Sequence, residues 1–341
     1  MKSPLALAVD GGNSKTDLAL VRADGEVLAL ARGPLSSPHH IGVDGSVELL
    51  GNLLDQALRD GGLRADGGRP VADLAELLVA GVDFPVEERA LEEAVASRGW
   101  AEHVHVRNDT FAVLRAGTER GWGVAVVCGA GINCVGVAPD GRHARFPALG
   151  AISGDWGGGY DVGLAAVSAA ARSEDGRGPR TSLERVVPSH FGVSTPTELT
   201  EAIHLGRIPL RRVLELPPLV FSVAADDPVA SEIVDRVAAE IVALARAALH
   251  RLGLDREPVE VLLGGGLLRA GDGRVFATVE ALLREVAPEA TVRTATSPPI
   301  VGAALLALDR LGAEPGAQAR LRRELGLAVE CAEAQDYAEV D

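Results

Sequence analysis

Residues 5–16 read LALAVDGGNSKT and place a run of apolar side chains directly before a glycine-rich turn. A continuous apolar run of this length is typical of a buried strand. A second strand is expected at Asp17–Arg22, and a third at Glu26–Arg32 follows the Asp-Gly signal at residues 24–25. The stretch therefore predicts a strand–turn–strand–hairpin–strand unit at the start of the chain.

The same order of elements begins again at residue 123. Gly123–Cys128 is expected to be a strand, residues 129–133 read GAGIN, and a second Asp-Gly signal follows at residues 140–141. Helix–strand alternation after each unit favours two α/β lobes. We therefore predict an α/β fold with two duplicated lobes around a central cleft. The predicted boundaries are 1–117 for the first lobe, 118–312 for the second with a helical insertion at about 161–252, and 313–341 for a tail.

The charge and cysteine content narrow the classes of function. The chain has 341 residues, and its 48 Asp and Glu against 33 Lys and Arg give a net charge of −15. Nucleic acid and anionic lipid both require a basic face, so neither is expected as a partner. Three cysteines without a CxxC pair predict no disulfide framework and no zinc site, and they favour the cytoplasm. No apolar run approaches the roughly 20 residues of a membrane span.

The turn after the first strand carries groups suited to phosphate. Gly11 and Gly12 allow backbone N–H groups to approach an anion closely. Lys15 adds a point charge, and Asp10 at the strand end could hold Mg²⁺ through water. The short donors of this turn are Asn13, Ser14 and Thr16. The alternative is an ordinary hairpin turn between two buried strands.

Two more glycine stretches allow similar interpretations. Gly129–Ala130–Gly131 occupies the matching place of the second half, and this recurrence favours phosphate binding over a plain hairpin for both turns. Gly264–Gly265–Gly266 follows a strand predicted at Val259–Leu263. Glycine lets a flat adenine or ribose lie against the backbone, although a helix-entry turn is the simpler alternative.

Asn108 and Asp109 lie between a strand predicted at His103–Arg107 and a helical run at Phe111–Ala116. Asp109 could cap that helix, which is the common role of Asp at such a position. It could instead act as the general base that takes the proton of a substrate hydroxyl during phosphoryl transfer. The local sequence favours the cap, whereas a carboxylate at a strand end between the two halves favours the base.

Residues 150–163 read GAISGDWGGGYDVG and are too rich in glycine for regular structure. Asp155 could contact a metal or a sugar hydroxyl, and Trp156 could cover the face of a sugar. The alternative is a flexible surface loop with Asp161 as a helix N-cap. The density of glycine beside polar and aromatic residues favours a binding loop.

A loop is predicted at Gly33–Gly42, before a helix at Val43–Arg59 with leucines at helical spacing. His39 and His40 lie in this loop. Solvated loop histidines are the simplest interpretation, and no cysteine or histidine at ligand spacing supports a metal there. Both could donate to substrate hydroxyls if the loop reaches the cleft.

Five stretches together carry a resemblance to a known family. They resemble, in order, the motifs of the BadF/BadG/BcrA/BcrD-type ATPases, which include N-acetylglucosamine kinases and belong to the superfamily of sugar kinases, actin and heat-shock ATPases. The resemblance covers residues 4 to about 311. The stretches are AVDGGNSKTDLALV (8–21), RNDTFAVLRAG (107–117), CGAGINC (128–134), SGDWGGGYDVG (153–163) and LLGGGLLRAG (262–271).

The resemblance implies a ribonuclease H-like, actin-like ATPase fold in each lobe, ATP and Mg²⁺ as cofactors, and possession of a homodimer interface. It implies a kinase that converts an amino sugar, N-acetylglucosamine, to its 6-phosphate. Asp109 would be the catalytic base and Asp10 would lie by the Mg²⁺. Gly12–Thr16 and Gly129–Gly131 would hold the phosphates, and Gly264–Gly266 would lie against the adenosine. The sugar contacts implied are His39, His40, Asn108, Asp109, Gly131, Asn133 and Asp155.

Two departures fall where the substrate is recognised. Trp156 stands where many relatives have Glu, and Pro38 stands where the N-acetylglucosamine kinases have Asn before the His. Two other functions are also considered. An ATPase activator of an acyl-CoA reductase or dehydratase needs a cysteine-held iron–sulfur cluster, which Cys128, Cys134 and Cys331 do not fit. A non-catalytic sugar or nucleotide sensor is the third hypothesis.

Overall fold

The computed structural model describes residues 3–63, 70–270 and 273–338. The chain forms two compact units, of which unit 1 comprises Met1–Trp122 with Ala295–Asp341 and unit 2 comprises Gly123–Thr294. Each unit holds one five-stranded mixed sheet. The predicted α/β fold with two duplicated lobes is therefore confirmed.

The sheet of unit 1 has the strand order β3-β2-β1-β4-β5. Its strands are β1 (Leu5–Gly11), β2 (Lys15–Arg22), β3 (Val27–Pro34), β4 (Ala72–Val79) and β5 (Ala101–Arg107). β1, β4 and β5 are parallel, whereas β2 is antiparallel to both of its neighbours. The carboxyl ends of the parallel strands therefore meet at one edge of the sheet, where binding groups commonly collect in open α/β sheets.

Three helices follow these strands in unit 1: α1 (Pro38–Asp60), α2 (Pro85–Ala96) and α3 (Thr110–Gly117). The loop predicted at Gly33–Gly42 is wrong, because α1 already begins at Pro38. Proline suits the first helical position, where its missing N–H is not needed. The helix is kinked at Gly42, whose φ of 72° only glycine adopts readily, and it then continues as predicted. His39 and His40 therefore lie on a first helical turn.

Unit 2 repeats the topology of unit 1, with the order β8-β7-β6-β9-β10. Its strands are β6 (Gly123–Cys128), β7 (Ile132–Val137), β8 (His143–Arg145), β9 (Glu260–Gly264) and β10 (Thr291–Thr294). The central strand is antiparallel to β7 and parallel to β9, as β1 is to β2 and β4. The repeat read from the sequence therefore extends to strand order and direction.

The helices of unit 2 lie mostly between β8 and β9. They are α4 (Gly159–Glu174), α5 (Leu183–His190), α6 (Pro196–His204), α7 (Pro217–Val223), α8 (Pro228–Leu252), α9 (Gly266–Ala270) and α10 (Gly273–Val286). The ends of α8 follow from its sequence. The Asp227 carboxylate accepts from the N–H groups of Val229 and Ala230 at 2.9 and 3.1 Å, and Gly253 after the helix takes the left-handed φ of 71°.

The last two helices, α11 (Pro299–Arg310) and α12 (Pro315–Ala338), belong to unit 1. This differs from the predicted boundaries, which ended the second lobe at residue 312 and set the tail apart. α11 packs on α3 so closely that a Cβ on Gly302 would lie 1.9 Å from the carbonyl oxygen of Ala112. Arg115 of α3 also forms a salt bridge of 2.7 Å with Asp309. Linear order could not show this return, because it depends on contacts far apart in the chain.

The core of unit 1 lies between its sheet and α1 and α2. Leu7 of β1 and Leu50 of α1 are each 1% exposed, and Leu91 of α2 is fully buried. This packing fixes the strand ends from which the polar side chains project. Among the described helices, none combines the length and the hydropathy needed to cross a bilayer.

Candidate functional site

The turn between β1 and β2 presents some of its predicted phosphate contacts and hides one. Gly11 pairs with Thr16 across the hairpin, and the N–H of Gly12 donates to the carbonyl oxygen of Lys15 at 2.9 Å. Thr16 is fully buried, so its hydroxyl is not presented to solvent. The exposed members of the predicted set are Asn13, Ser14 and Lys15.

Lys15 lies within a cluster of charged side chains. Its Nζ is 3.0 Å from Oε1 of Glu333 in α12 and 3.8 Å from Oδ2 of Asp17. The buried Asp17 carboxylate is also held by Arg32 at 2.6 Å. A phosphate that binds Lys15 therefore has to compete with Glu333, a carboxylate 318 residues further along the chain.

Asp10 is a half-buried carboxylate next to other acids. Its pKa is raised well above the ordinary value, first by desolvation, then by the charges of Asp109 and Asp17. Lys15 and Arg32 oppose this rise only partly. A divalent cation bound at Asp10 would relieve the repulsion, and carboxylate oxygens are ligands that Mg²⁺ prefers.

The structure separates the capping role from Asp109. Asp109 stands at the N-cap position of α3, but its carboxylate makes no capping hydrogen bond. The neighbouring Asn108 does this work, since its Oδ1 accepts from the N–H and the Oγ1 of Thr110 at 3.0 and 2.6 Å. Asn108 is itself 3% exposed, and its Nδ2 donates to Oδ1 of Asp83 at 2.8 Å. Its side chain is therefore engaged in bracing the end of β5.

The environment of Asp109 suits proton transfer near neutral pH. Burial raises the pKa of Asp109 to about 7, and the charge of Asp83 adds to the rise. The backbone N–H of Thr110 opposes it to a smaller extent. A general base is most effective when its pKa lies near the working pH. The geometry therefore favours the base over the helix cap.

A second pair of side chains lies beside Asp83. Glu87 Oε1 is 3.1 Å from Nε2 of His39, and Glu87 Oε2 accepts from the N–H groups of Asp83 and Phe84 at 2.8 and 2.9 Å. One ligand atom each of His39, Asp83 and Glu87 lies within 4.8 Å of the others. Because both Glu87 oxygens already accept hydrogen bonds or face His39, we interpret the group as a hydrogen-bonding network. His40 is exposed.

In unit 2, the turn Gly129–Ala130–Gly131 is fixed against the start of α4. The N–H groups of Gly159 and Tyr160 donate to the carbonyl oxygens of Gly129 and Ala130 at 2.8 and 3.0 Å. A Cβ on Gly158 would lie 2.3 Å from Cα of Gly131, so only glycine permits this approach. The carbonyl oxygens of Gly129 and Ala130 are therefore directed toward the start of α4.

The loop before α4 holds Asp155 and Trp156 by specific contacts. Asp155 accepts a hydrogen bond from Ser153, and Trp156 lies under the guanidinium of Arg236 at 3.9 Å from ring centre. Trp156 also lines a cavity of about 670 Å³ within unit 2. Asp161 is not the predicted N-cap, because α4 already begins at Gly159. Nearby, the half-buried Asn133 accepts from the N–H of Cys134 at 2.7 Å.

The three consecutive glycines at the end of β9, residues 264–266, differ in their surroundings. Gly264 ends the strand and is buried. Gly265 has a φ of 101°, and a Cβ there would lie 2.1 Å from the carbonyl oxygen of Cys128, so packing within unit 2 already requires glycine. Gly266 starts α9, is exposed, and has open space where a Cβ would stand. It is the member of the triplet with room for a ligand.

Known proteins resemble this chain over most of its length. A sequence model described as the BadF/BadG/BcrA/BcrD ATPase family matches residues 7–307. The chain belongs to this family. An N-acetylmuramic acid/N-acetylglucosamine kinase of Clostridium acetobutylicum is a relative with 27% identity over 267 residues, which cover 77% of this chain and 85% of the relative.

Two further relatives match a larger share of the chain. An N-acetyl-D-glucosamine kinase of Dictyostelium discoideum is 26% identical over 318 residues, covering 91% of this chain and 99% of the relative. A solved structure of a candidate N-acetylglucosamine kinase from Chromobacterium violaceum superposes with a TM-score of 0.70 at 26% identity. That match covers 89% of this chain and 98% of the other.

Sequence reasoning missed Asp83 and Glu87. A signal for Asp83 was present, because it follows β4, whose carboxyl end lies at the same sheet edge as those of β1 and β5. Glu87 could not be singled out because it is one of several acidic residues on α2, for which a solvated helix face is the simplest interpretation. The pairing of Lys15 with Glu333 had no sequence signal at all.

Proposed function

We propose that this protein is an ATP-dependent kinase that phosphorylates N-acetylglucosamine to its 6-phosphate. The observation that carries the proposal is the environment of the Asp109 carboxylate. Asp109 is a carboxylate at the end of β5, released from capping by Asn108, and its pKa of about 7 lets it accept a proton at neutral pH. The named kinases among its family relatives support the choice of amino sugar as the acceptor.

In this proposal Asp109 removes the proton of the attacking sugar hydroxyl, and the resulting alkoxide-like oxygen attacks the γ-phosphorus of ATP. The bond from that phosphorus to the β–γ bridging oxygen breaks, so ADP leaves. The exposed Asn13, Ser14 and Lys15 of the first turn and the turn Gly129–Gly131 would contact the phosphates. Asp10 would hold Mg²⁺, which neutralises phosphate charge when bound. The raised pKa of Asp10 beside two other acids fits such a cation.

The remaining contacts are assigned by the same proposal. Gly264–Gly266 would lie against the adenosine, with Gly266 offering the open backbone. The sugar would be contacted by His39, His40, Gly131, Asn133 and Asp155. For Asn108 the buried hydrogen bonds support an indirect contribution, through the position of Asp109. We place the enzyme in the cytoplasm, where ATP is available and its three free cysteines stay reduced.

An ADP-release assay over a panel of sugars tests the proposal. The panel is N-acetylglucosamine, glucosamine, N-acetylmannosamine, N-acetylmuramic acid and glucose. We expect turnover to be highest with N-acetylglucosamine and to fall roughly 10²–10⁴-fold in Asp109→Asn, with ATP binding retained. Asp140→Asn, a change at the exposed β7–β8 turn, is the matched control and should leave turnover unchanged.

Unchanged turnover in Asp109→Asn would remove Asp109 from the role of base. ADP release at one rate with every sugar, and equally without sugar, would show an ATPase that is not a sugar kinase. Either result contradicts the proposal.

A further inference from the structure

Hydrogen bonds link the first turns of three helices in unit 1. His39 belongs to the start of α1, Glu87 to the start of α2, and Thr110 to the start of α3. Glu87 joins His39, at 3.1 Å, to the backbone N–H of Asp83, at 2.8 Å. The Asp83 carboxylate then continues the chain of bonds to Asn108.

The amide of Asn108 is held at both ends. Its Nδ2 donates to Asp83, and its Oδ1 accepts from both the N–H and the hydroxyl of Thr110. A carboxylate can only accept, and a backbone N–H can only donate, so the two partners select one orientation of the amide. Asp109 lies between Asn108 and Thr110, and its backbone is therefore fixed from both sides.

We propose that Asp83 is a positioning residue for phosphoryl transfer: by holding Asn108 it fixes the start of α3 and keeps the Asp109 carboxylate at the end of β5. This inference rests on the proposed function, in which Asp109 is the base. Asp83 itself touches neither sugar nor ATP in this account. It acts through the hydrogen bonds of Asn108, and not through contact with the reacting atoms.

Removing the carboxylate leaves Asn108 Nδ2 without this acceptor in a buried position. Losing a buried hydrogen bond costs free energy, so Asn108 is expected to shift and to move Asp109 with it. Small displacements of a reacting group can reduce turnover by as much as about 10²-fold. For Asp83→Ala we expect kcat to fall roughly 10–100-fold while the KM for ATP stays within about twofold. Asp83→Asn can still accept from Asn108 through its own Oδ1, and its loss should be under about fivefold.

A double-mutant cycle separates positioning from a general loss of structure. The turnover of wild type, Asp83→Ala, Asp109→Asn and the double variant is measured with N-acetylglucosamine, using high enzyme concentrations for the slow variants. If Asp83 acts through Asp109, the double variant should be no slower than Asp109→Asn alone. Glu93→Gln removes a charge from an exposed position on α2, the helix that follows Asp83, and should not change kcat.

Equal fold-losses from Asp83→Ala in the wild-type and Asp109→Asn backgrounds would overturn the inference, as would unchanged turnover in Asp83→Ala. If Asp83→Ala does not fold, the cycle is run with Asp83→Asn. Its smaller loss of turnover should likewise disappear in the Asp109→Asn background, and a loss that persists there would overturn the inference. The turnover of the wild type is measured first, because it tests the proposed function separately from the role of Asp83. A wild type without sugar-dependent ADP release contradicts the proposed function, whereas an active wild type with an additive cycle contradicts only the role of Asp83.

Discussion

Asp109→Asn should make the folded protein more stable at alkaline pH even as it removes the base. The folded-state pKa of Asp109 is raised from 3.8 to about 7, mainly by burial. A raised acid pKa means that the native state binds the proton more tightly than the unfolded chain does. Ionised Asp109 therefore costs stability, with no cost below pH 4 and a growing cost between pH 4 and 7.

The size of this cost follows from the shift. About three pKa units correspond to about 4 kcal/mol once the pH exceeds 7, and this is an upper limit because the substituted side chain and its neighbours also adjust. Loss of the Asp109 charge also removes one of the causes that raise the pKa of Asp10. Both effects have the same sign, so Asp109→Asn should be more stable than wild type at pH 8.

Urea unfolding at pH 5, 6.5 and 8 measures this difference. We expect the stability gain of Asp109→Asn over wild type to be at least about 1 kcal/mol at pH 8 and to fall to roughly two fifths of its pH 8 value at pH 5. Asp140→Asn controls for removal of an exposed acid. Equal stabilities of Asp109→Asn and wild type at pH 8 would refute the reasoning, because the Asp109 carboxylate would then be no worse solvated in the folded protein than in the unfolded chain.

Three further predictions concern other parts of the molecule. With Asp109 as base, the kcat for sugar phosphorylation should rise with pH through an apparent pKa of about 7, close to tenfold from pH 6 to 8; a flat profile contradicts this. Glu333→Gln should lower the KM for ATP by up to about fivefold at low salt, since the exposed ion pair of Glu333 with Lys15 is worth at most about 1 kcal/mol. Glu330→Gln on the same helix should leave the KM unchanged. An effect of Glu333→Gln that survives 1 M salt would argue against an ion pair. Gly302→Ala should destabilise the protein by roughly 1–3 kcal/mol in thermal unfolding, because the added Cβ meets the Ala112 carbonyl oxygen. The control Gly326→Ala has open space for its Cβ and should be neutral or stabilising by up to about 1 kcal/mol. Equal effects of the two substitutions would refute the close packing of α11 on α3.

The duplicated fold could be predicted because its signals are local. The apolar run before Asp10 and the Asp-Gly signal at residues 24–25 recur in the second half as strand β6 and residues 140–141. Turn chemistry and strand periodicity depend on neighbouring residues, so they are visible in the sequence. Two local predictions were wrong. The loop at Gly33–Gly42 is partly helical, because Pro38 begins a helix and Gly42 kinks it. The glycine-rich stretch 150–163 is also partly regular, because its residues from Gly159 onward belong to α4.

The parts that could not be predicted depend on distant contacts. The return of α11 to unit 1 rests on Gly302 meeting Ala112, about 190 positions earlier in the chain. The cap of α3 belongs to Asn108 and not to Asp109, which only side-chain geometry decides. The sequence therefore indicated which residues of unit 1 are candidates for the site and where they lie along the chain. It did not indicate the partners that orient their side chains.

The most direct test of the central claim identifies the product of the reaction. Purified protein is incubated with ATP, Mg²⁺ and N-acetylglucosamine, and the products are followed by ³¹P NMR with coupling to sugar protons. The account predicts one phosphate monoester coupled to the C6 protons, formed in equal amount with ADP and absent with Asp109→Asn on the same time scale. Inorganic phosphate and ADP without any sugar ester would contradict it.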